Sequence, residues 1–329
     1  MRAVVITQPG GPEVLEIRDV PTPILAAGEV LVRVRAAGLN RADLLQRQGR
    51  YPAPPGVSPD IPGLEFAGEI AELGPQVEIW RPGQRVFGIV AGGAHAEYLV
   101  THHATLAEVP ANLDWAQAGS IPEAFITAHD ALWKQAQLRA GESVLIHAVG
   151  SGVGLAAVQL VRAFGAIPYG TARTADKIER ARPLGLEDGI QLDASLQGLA
   201  EHVERWTDGR GFDVILDLVG GPYVAASVDA LALRGRLMLV ATSAGRKAEF
   251  DLGRSLSRRV TIRGTVLRAR PLEEKIAVTR SFADEVVPLF ARGVLRPNLD
   301  SVFPLSDVRA AHQRLESNAT FGKVVLVMP

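Results

Sequence analysis

The spacing of apolar and polar residues divides the chain into two styles of sequence. Up to about residue 120, short apolar runs alternate with Pro-Gly turns, which predicts strands at Arg2–Thr7, Glu29–Ala36, Phe66–Leu73 and Arg85–Val90. Strands that recur so often, with tight turns between them, favour a small antiparallel, barrel-like domain.

From about residue 123 the pattern alternates between buried strand and helix. Helices are predicted around residues 153–164, 176–184, 196–207 and 224–233, and strands at Ser143–Ala148, Ile167–Thr171, Ile190–Leu192, Val214–Leu218, Arg236–Ala241 and Thr261–Leu267. Strands joined by helical crossovers predict a doubly wound parallel sheet.

The last part of the chain predicts two more helices and one strand. The helices are expected at Glu273–Arg292 and Ser306–Asn318, with Ser306 as a cap, and the strand at Lys323–Met328. We expect this tail to return to the first domain. The predicted domains are therefore residues 1–122, residues 123–268 and a returning segment, residues 269–329.

Composition narrows the class of protein. Among 329 residues, 35 basic and 36 acidic side chains give a net charge of −1, so neither nucleic acid nor an anionic membrane is an expected partner. The absence of cysteine excludes disulfides and thiolate zinc sites. We see no targeting segment, and glycines interrupt the longest apolar stretch, Val144–Val161, so a cytoplasmic protein is expected.

A glycine-rich loop is the strongest local motif. It lies between the predicted strand at 143–148 and the helix that follows, and it reads Val149, Gly150, Ser151, Gly152, Val153 and Gly154. Small residues let the backbone approach a pyrophosphate, and the helix N-terminus offers unpaired N–H groups. The loop therefore predicts a dinucleotide site, which we extend to Thr171 at the end of the second strand and, at the ends of the fourth and fifth strands, to Val219, Ala241 and Thr242.

The residues after the second strand indicate which dinucleotide binds. No carboxylate precedes Asp176, where an NAD site needs one for the ribose hydroxyl. Arg173 and Lys177 are instead suited to a 2′-phosphate. The sequence therefore favours NADPH as the cofactor.

Several stretches resemble one protein family. They are AGLNRAD (37–43), PGLEFAG (62–68), the loop above and GKVVL (322–326), together with NRADLLQRQGRY (40–51), IPEAFIT (121–127) and LRAR (267–270). The chain is similar to the medium-chain dehydrogenase/reductase superfamily, to its zinc-free quinone oxidoreductase branch, and there to the tumour-suppressor-inducible subgroup. The resemblance implies a GroES-like antiparallel β-barrel catalytic domain and a Rossmann domain.

The resemblance also implies roles for single residues. Asn40 and Leu64 stand where the alcohol dehydrogenase branch holds zinc, so no metal is expected. Tyr51, Asn40 and Asp43 are the catalytic candidates, although Asp43 is better suited to holding its turn in place. Additional cofactor neighbours are implied at Tyr51, Thr127, Leu192, Leu267, Arg268 and Lys323, and many relatives carry a tyrosine at the position of Leu192.

These observations support three hypotheses. The first is an NADPH-dependent, metal-free quinone oxidoreductase that forms a homodimer through Thr261–Leu267, since an uncovered edge strand invites pairing. The second is a reductase of enones or enoyl thioesters, which would use the same hydride geometry. The third is a non-catalytic NADPH-binding protein, either a redox sensor or a nucleic-acid-binding relative. The identity of the acceptor, and whether electrons leave singly or in pairs, stay open.

Overall fold

Segments from both ends of the chain build the first of two compact units. The computed structural model describes residues 1–329. Unit 1 comprises Met1–Ile126 and Leu267–Pro329, and unit 2 comprises Thr127–Val266. The first boundary, between Ile126 and Thr127, falls inside the helix α3 (Pro122–His129).

The amino-terminal part of unit 1 is rich in short strands, as its turn residues predict. Its strands are β1 (Arg2–Ile6), β2 (Leu15–Asp19), β3 (Glu29–Gly38), β4 (Glu65–Leu73), β5 (Arg85–Ile89), β6 (Tyr98–His102) and β7 (Leu106–Glu108). Its helices are α1 (Arg41–Arg47), α2 (Trp115–Gly119) and α3 (Pro122–His129), the last of which continues into unit 2.

Unit 2 alternates strictly between strand and helix. The strands are β8 (Ser143–Ile146), β9 (Ile167–Ala172), β10 (Asp188–Gln191), β11 (Phe212–Asp217), β12 (Leu231–Leu239) and β13 (Thr261–Gly264). The helices are α4 (Gly152–Ala163), α5 (Ala175–Ala181), α6 (Leu199–Thr207), α7 (Pro222–Ala230) and α8 (Leu252–Arg258).

The tail returns to unit 1 with three helices and two strands. They are α9 (Leu272–Glu285), α10 (Val287–Ala291), β14 (Leu299–Pro304), α11 (Val308–Glu316) and β15 (Lys323–Val327). β15 pairs antiparallel with β3 and completes a seven-stranded sheet in the order β14-β15-β3-β4-β5-β7, with β6 also on β3. One core runs beneath this sheet, and it includes Val32, Phe66, Leu99 and Leu326.

Three local expectations for the tail were wrong. The helix predicted over Glu273–Arg292 is broken at Val286, because Pro288 lacks the N–H that a continuous helix needs. Ser306 does not cap α11; its hydroxyl binds Asp307 within a preceding 3₁₀ turn. β14 was not predicted, and since it runs parallel to β15 the sheet is not wholly antiparallel.

The parallel sheet of unit 2 has the strand order that a doubly wound fold requires. The order is β10-β9-β8-β11-β12-β13, with every pairing parallel. The direction of winding reverses between β8 and β11, which is where such sheets bind nucleotides at the carboxyl ends of the strands. Val144, Leu145 and Ile146 of β8 are fully buried, as expected of a central strand covered on both faces. No helix in the chain combines the length and the apolar character that a membrane span requires.

Candidate active site

The loop between β8 and α4 has the geometry of a phosphate site. Ser151 is the N-cap of α4, and its Oγ accepts a hydrogen bond from the backbone N–H of Gly154 at 3.1 Å. The first N–H groups of a helix lack intrahelical partners and carry partial positive charge. A Cβ on Gly150 would come within 2.8 Å of the Lys177 side chain, so the glycine lets that lysine pack over the loop. The loop is therefore suited to an anion.

A buried histidine holds the base of this loop. His147 Nδ1 lies 3.0 Å from Thr171 Oγ1, and its Nε2 lies 3.0 Å from Ser227 Oγ. Burial lowers the pKa of His147 to about 3, so the ring stays neutral. Val149 donates its N–H to the Thr171 carbonyl at 2.9 Å, which ties the loop to β9. The hydroxyl of Thr171 is thus a structural group.

Asp217 shapes the neighbouring loop at the end of β11. Its Oδ1 accepts the backbone N–H groups of Val219 at 2.7 Å and Gly220 at 2.8 Å, while its buried Oδ2 has no partner. Burial raises the pKa of this carboxyl. A Cβ on Gly220 would come within 2.8 Å of the Thr242 Cα, and Ala241 directly precedes Thr242. The fold therefore brings Val219, Ala241 and Thr242 together at the carboxyl edge of the sheet.

The charged residues after β9 differ in their partners. The side chain of Arg173 is exposed and makes no hydrogen bond or ion pair. Asp176, the first carboxylate in this segment, lies 3.9 Å from Arg180 on α5. The unpaired cation nearest the end of β9 is thus a guanidinium, the group that binds phosphates with paired N–H donors.

Two cofactor candidates in unit 2 have buried side chains. Leu192 is packed into the core of the unit with Leu145, Phe212 and Ile215, and its backbone N–H donates to the Ala172 carbonyl at 2.8 Å. Thr127 is 7% exposed in α3.

In unit 1, a buried lysine joins three of the predicted segments. Lys323 Nζ lies 2.5 Å from Glu65 Oε1 and donates to Asn40 Oδ1 at 2.6 Å and to the Leu39 carbonyl at 2.8 Å. Asn40 Nδ2 also donates to Glu65 Oε1 at 2.9 Å, and Glu65 Oε2 accepts the backbone N–H of Glu123 at 2.8 Å. We refer to Asn40, Glu65 and Lys323 as the lysine cluster.

The lysine cluster changes the roles expected of two catalytic candidates. The amide of Asn40 is engaged at both ends within the protein, by Lys323 and by Glu65. Asp43 is fully buried, and its two oxygens accept the N–H groups of Asn40 at 2.7 Å and Gly63 at 3.0 Å. Both side chains fix the turn before α1, which is the structural role already preferred for Asp43.

Tyr51 is positioned by a cation beneath its ring. The guanidinium carbon of Arg268 lies 4.8 Å from the centre of the tyrosine ring, and Nη1 donates to the Tyr51 carbonyl at 3.3 Å. Arg268 also donates to Gln46 Oε1 at 2.6 Å and to the Ala91 carbonyl at 2.7 Å. Burial raises the pKa of the Tyr51 phenol and Arg268 opposes the rise, so the group stays a hydrogen-bond donor.

Arg268, Lys323 and Leu267 were implied as cofactor neighbours, and the structure gives each of them an internal role. Arg268 donates to three protein oxygens, Lys323 Nζ is bound to three others, and Leu267 is buried. Four residues that organise these sites had no role predicted from the sequence: Glu65, Glu123, His147 and Asp217. The sequence signals such a role only at His147, a polar residue that directly follows the apolar run Val144–Ile146.

The histidines do not gather into a metal centre. His95 is buried with burial lowering its pKa, and its Nδ1 has no partner. His102 and His103 lie beside each other with ring centres 4.7 Å apart. No group of three or more His, Asp or Glu side chains in the chain is placed to hold a metal ion.

The chain matches known proteins along its length. Residues 26–134 match the alcohol dehydrogenase GroES-like domain, and residues 190–326 match the zinc-binding dehydrogenase domain. It is 35% identical over 323 residues to a quinone oxidoreductase of Pseudomonas aeruginosa, covering 97% of each chain. The chain belongs to the medium-chain dehydrogenase/reductase superfamily, among the quinone oxidoreductases. It is an oxidoreductase, and this favours an enzyme over a protein that only binds nucleotide.

Solved structures and a longer relative add two comparisons for this oxidoreductase. Escherichia coli quinone oxidoreductase complexed with NADPH superposes with a TM-score of 0.88 at 29% identity, covering 99% of this chain and 100% of that one. The JamJ enoyl reductase superposes with a TM-score of 0.88 at 26% identity, covering 100% and 99%. The erythronolide synthase EryA2 of Saccharopolyspora erythraea is 39% identical over 94% of this chain, which spans only 8% of that protein.

Proposed function

We propose that this oxidoreductase transfers reducing equivalents from NADPH to a quinone-like acceptor without a resident metal. The observation that carries the proposal is the lysine cluster. The Asn40 and Glu65 oxygens are bound at 2.6 Å and 2.5 Å by an ammonium group, in a chain without cysteine. This donor set does not fit zinc, which needs free nitrogen, sulfur or oxygen ligands.

The lack of a Lewis acid site restricts the acceptor. Reduction of an ordinary carbonyl gains several kcal/mol from a metal that polarises the oxygen. A quinone accepts electrons without such help, so positioning and hydrogen-bond donors suffice. An electron-poor acceptor is therefore the substrate class that this chain suits.

The residues of unit 2 fit a dinucleotide with a 2′-phosphate. The loop from Val149 to Gly154 and the N-terminus of α4 would hold the pyrophosphate, with Val219, Ala241 and Thr242 giving backbone contacts. Arg173, together with Lys177, would hold the extra phosphate. The nicotinamide ring supplies the hydride when NADPH is bound. NADPH in the E. coli relative supports this assignment.

Unit 1 would supply the groups that face the acceptor. Tyr51 is half-buried and protonated, so its hydroxyl can donate a hydrogen bond to the acceptor oxygen. Asn40, Asp43 and Arg268 would act through the positions of α1 and Tyr51. In this proposal unit 1, residues 1–126 and 267–329, is the catalytic domain, and unit 2, residues 127–266, binds NADPH.

A second candidate substrate class is supported by two comparisons. The JamJ structure is that of an enoyl reductase, and the chain aligns with a segment of the erythronolide synthase. An α,β-unsaturated thioester also accepts a hydride without a metal.

The rate at which NADPH absorbance falls with 1,4-benzoquinone should be compared with the rate measured with a 2-enoyl thioester. We expect the quinone to be reduced faster; reduction of the thioester alone would overturn the first proposal.

We also propose that the enzyme is a homodimer joined through β13. All residues of this strand are exposed, and β13 lies at the open end of the parallel sheet. Apolar side chains lie exposed around it, including Ile262 and, on α8, Leu252 and Leu256. An edge strand with apolar neighbours is suited to pairing with a second copy.

A further inference from the structure

Gln46 and Arg268 come from two of the stretches that carry the family resemblance, and the fold joins them. Gln46 lies on α1, and Arg268 lies 222 positions further along the chain, just before α9. Both side chains are buried. Arg268 Nη2 donates to Gln46 Oε1 at 2.6 Å, so the two stretches meet through one short hydrogen bond.

The segment that carries Tyr51 has little structure of its own. Residues 51–59, which we call the tyrosine loop, contain four prolines, and proline has no N–H to donate. The one backbone hydrogen bond within the loop runs from the Val57 N–H to the Pro54 carbonyl at 3.2 Å. The position of the loop therefore depends on its contacts with the rest of unit 1.

Gln46 and Arg268 hold the tyrosine loop at both of its ends. Gln46 Nε2 donates to the Pro59 carbonyl at 2.9 Å. Arg268 Nη1 donates to the Tyr51 carbonyl at 3.3 Å, and the guanidinium lies against the Tyr51 ring. Because Gln46 Oε1 also holds Arg268, a single glutamine side chain connects the two ends of the loop.

The turn after β5 supports the same arrangement. Arg268 Nε donates to the Ala91 carbonyl at 2.7 Å, so the guanidinium is fixed on a second side. A Cβ on Gly92 would come within 2.7 Å of Val57 Cγ1, so the glycine leaves room for the loop to pack on this turn. The tyrosine loop thus rests on a turn that Arg268 also binds.

The amide of Gln46 suits this position because it accepts one hydrogen bond and donates another. Leucine would occupy a similar volume and make neither contact. Glutamate would keep the acceptor for Arg268 and lose the donor for the Pro59 carbonyl. Substitutions at this position therefore separate the two ends of the loop.

We propose that Gln46 is a positioning residue for the reduction, a role that rests on the proposed function. Through Arg268 and Pro59 it fixes the tyrosine loop, and with it the place where the Tyr51 hydroxyl meets the acceptor oxygen. In this role Gln46 touches neither the acceptor nor the cofactor. A group misplaced by about 1 Å loses on the order of 10²-fold in rate, so the position of the loop bears directly on catalysis.

The test is a double-mutant cycle on kcat/KM for 1,4-benzoquinone, built from Gln46→Leu, Tyr51→Phe and the double variant. Gln46→Leu should lower kcat/KM by about 10- to 100-fold, with unchanged NADPH affinity measured by fluorescence. Because Gln46 acts through Tyr51, the same change in the Tyr51→Phe background should cost less than about twofold. The matched control is Gln48→Leu, since the Gln48 amide binds Glu316 at 3.2 Å instead of the loop, and it should match the wild type.

Gln46→Glu keeps the proposal testable if Gln46→Leu fails to fold. Its carboxylate still accepts from Arg268, so kcat/KM should fall by less than about 10-fold, and a larger loss would overturn the proposal. Wild-type kcat/KM in Gln46→Leu would also overturn it. So would equal losses on Gln46→Leu in the Tyr51 and Tyr51→Phe backgrounds, which indicate a general structural role.

Hydrogen exchange separates this proposal from the proposed function. Without NADPH or acceptor, amides of the tyrosine loop should exchange faster in Gln46→Leu and in Gln46→Glu than in the wild type, and at the wild-type rate in Gln48→Leu. If exchange rises in this way but the wild type reduces neither quinone nor thioester, the proposed function is wrong and the hold of Gln46 on the loop stands. Unchanged exchange in both Gln46 variants contradicts the positioning role itself.

Discussion

Arg173 and Lys323 are both cations, and their partners decide their roles. Arg173 is exposed and unpaired after β9, so its guanidinium is available to a ligand. Lys323 is 6% exposed and its ammonium is bound to oxygens of Leu39, Asn40 and Glu65. In the proposed function Arg173 would select the cofactor, whereas Lys323 holds three oxygens of unit 1 together within the fold.

Replacing Arg173 with alanine should weaken NADPH binding while leaving NADH binding unchanged. Charge-assisted hydrogen bonds to a phosphate are worth about 1.5–3 kcal/mol, which corresponds to about 10- to 100-fold in Kd. Arg210→Ala is the matched control, because Arg210 is exposed just before β11, at the opposite edge of the sheet. Calorimetric titration with both nucleotides measures the effect. Equal losses for NADPH and NADH would show that Arg173 does not bind the 2′-phosphate.

Replacing Lys323 with methionine should destabilise the protein by about 3–5 kcal/mol, because Glu65 would be left as a buried, unpaired charge. Glu65 is fully buried. The double variant Lys323→Met with Glu65→Gln should recover most of this loss, since it removes both charges. Urea denaturation followed by circular dichroism gives the free energies. A double variant no more stable than the single one would contradict the electrostatic explanation.

At the scale of elements, the nucleotide loop is held by neighbouring strands and helices rather than by its own sequence. His147 connects the end of β8 to β9 through Thr171 and to α7 through Ser227. Asp217 closes the loop after β11 in a similar way. The carboxyl edge of the sheet is thus held by hydrogen bonds within the protein.

Replacing His147 with alanine should cost about 2–4 kcal/mol, because it opens a cavity and leaves two buried hydroxyls unpaired. The pKa of His147 falls from 6.5 unfolded to about 3 folded, so its contribution is full above pH 6.5 and is lost as the pH falls towards 3. The stability difference between wild type and variant should therefore shrink on acidification. Denaturation curves at several pH values test this, and a difference that grows as the pH falls would contradict it.

The exposed edge strand β13 leads to a prediction about assembly. Ile262→Asp should convert the dimer into a monomer, since a charge on an edge strand opposes pairing. Ile24→Asp is the control, because Ile24 is 91% exposed and lies outside the sheets. Light scattering gives the mass of each protein. A wild-type monomer, or a dimer that survives Ile262→Asp, would show that β13 is not the interface.

At the scale of the whole molecule, the chain has a Rossmann-like parallel sheet in one unit and a GroES-like domain in the other, where Lys323 binds three buried or partly buried oxygens. A net charge of −1 offers no overall electrostatic attraction for a nucleic acid. The amino-terminal and carboxy-terminal parts of the chain share one sheet, because β15 pairs with β3.

Removal of metal ions should leave this enzyme unchanged. Since the oxygens of Asn40 and Glu65 are bound by Lys323, prolonged dialysis against a strong chelator should alter neither NADPH turnover nor the thermal midpoint. Elemental analysis before and after dialysis is the check. Stoichiometric zinc in the purified protein, with turnover lost on chelation, would refute the proposed metal-free chemistry.

The sequence by itself determined the two fold types and the strand–loop–helix from β8 to α4, and it placed Arg173 rather than a carboxylate after β9. These features depend on neighbours within a few residues, where apolar periodicity and turn chemistry act directly. It missed β14 and the break at Val286, because short strands and helix ends depend on what packs against them.

Only the tertiary structure decided the roles of Asn40 and Lys323. Asn40 and Lys323 are 283 positions apart, and no local pattern reveals that their side chains meet. The pKa of the Glu123 carboxyl is likewise raised by burial and by the charge of Glu65, which lies 58 positions away in the sequence. A contact or a pKa of this kind is a property of the folded arrangement, because distance and dielectric exist only once the chain has closed on itself.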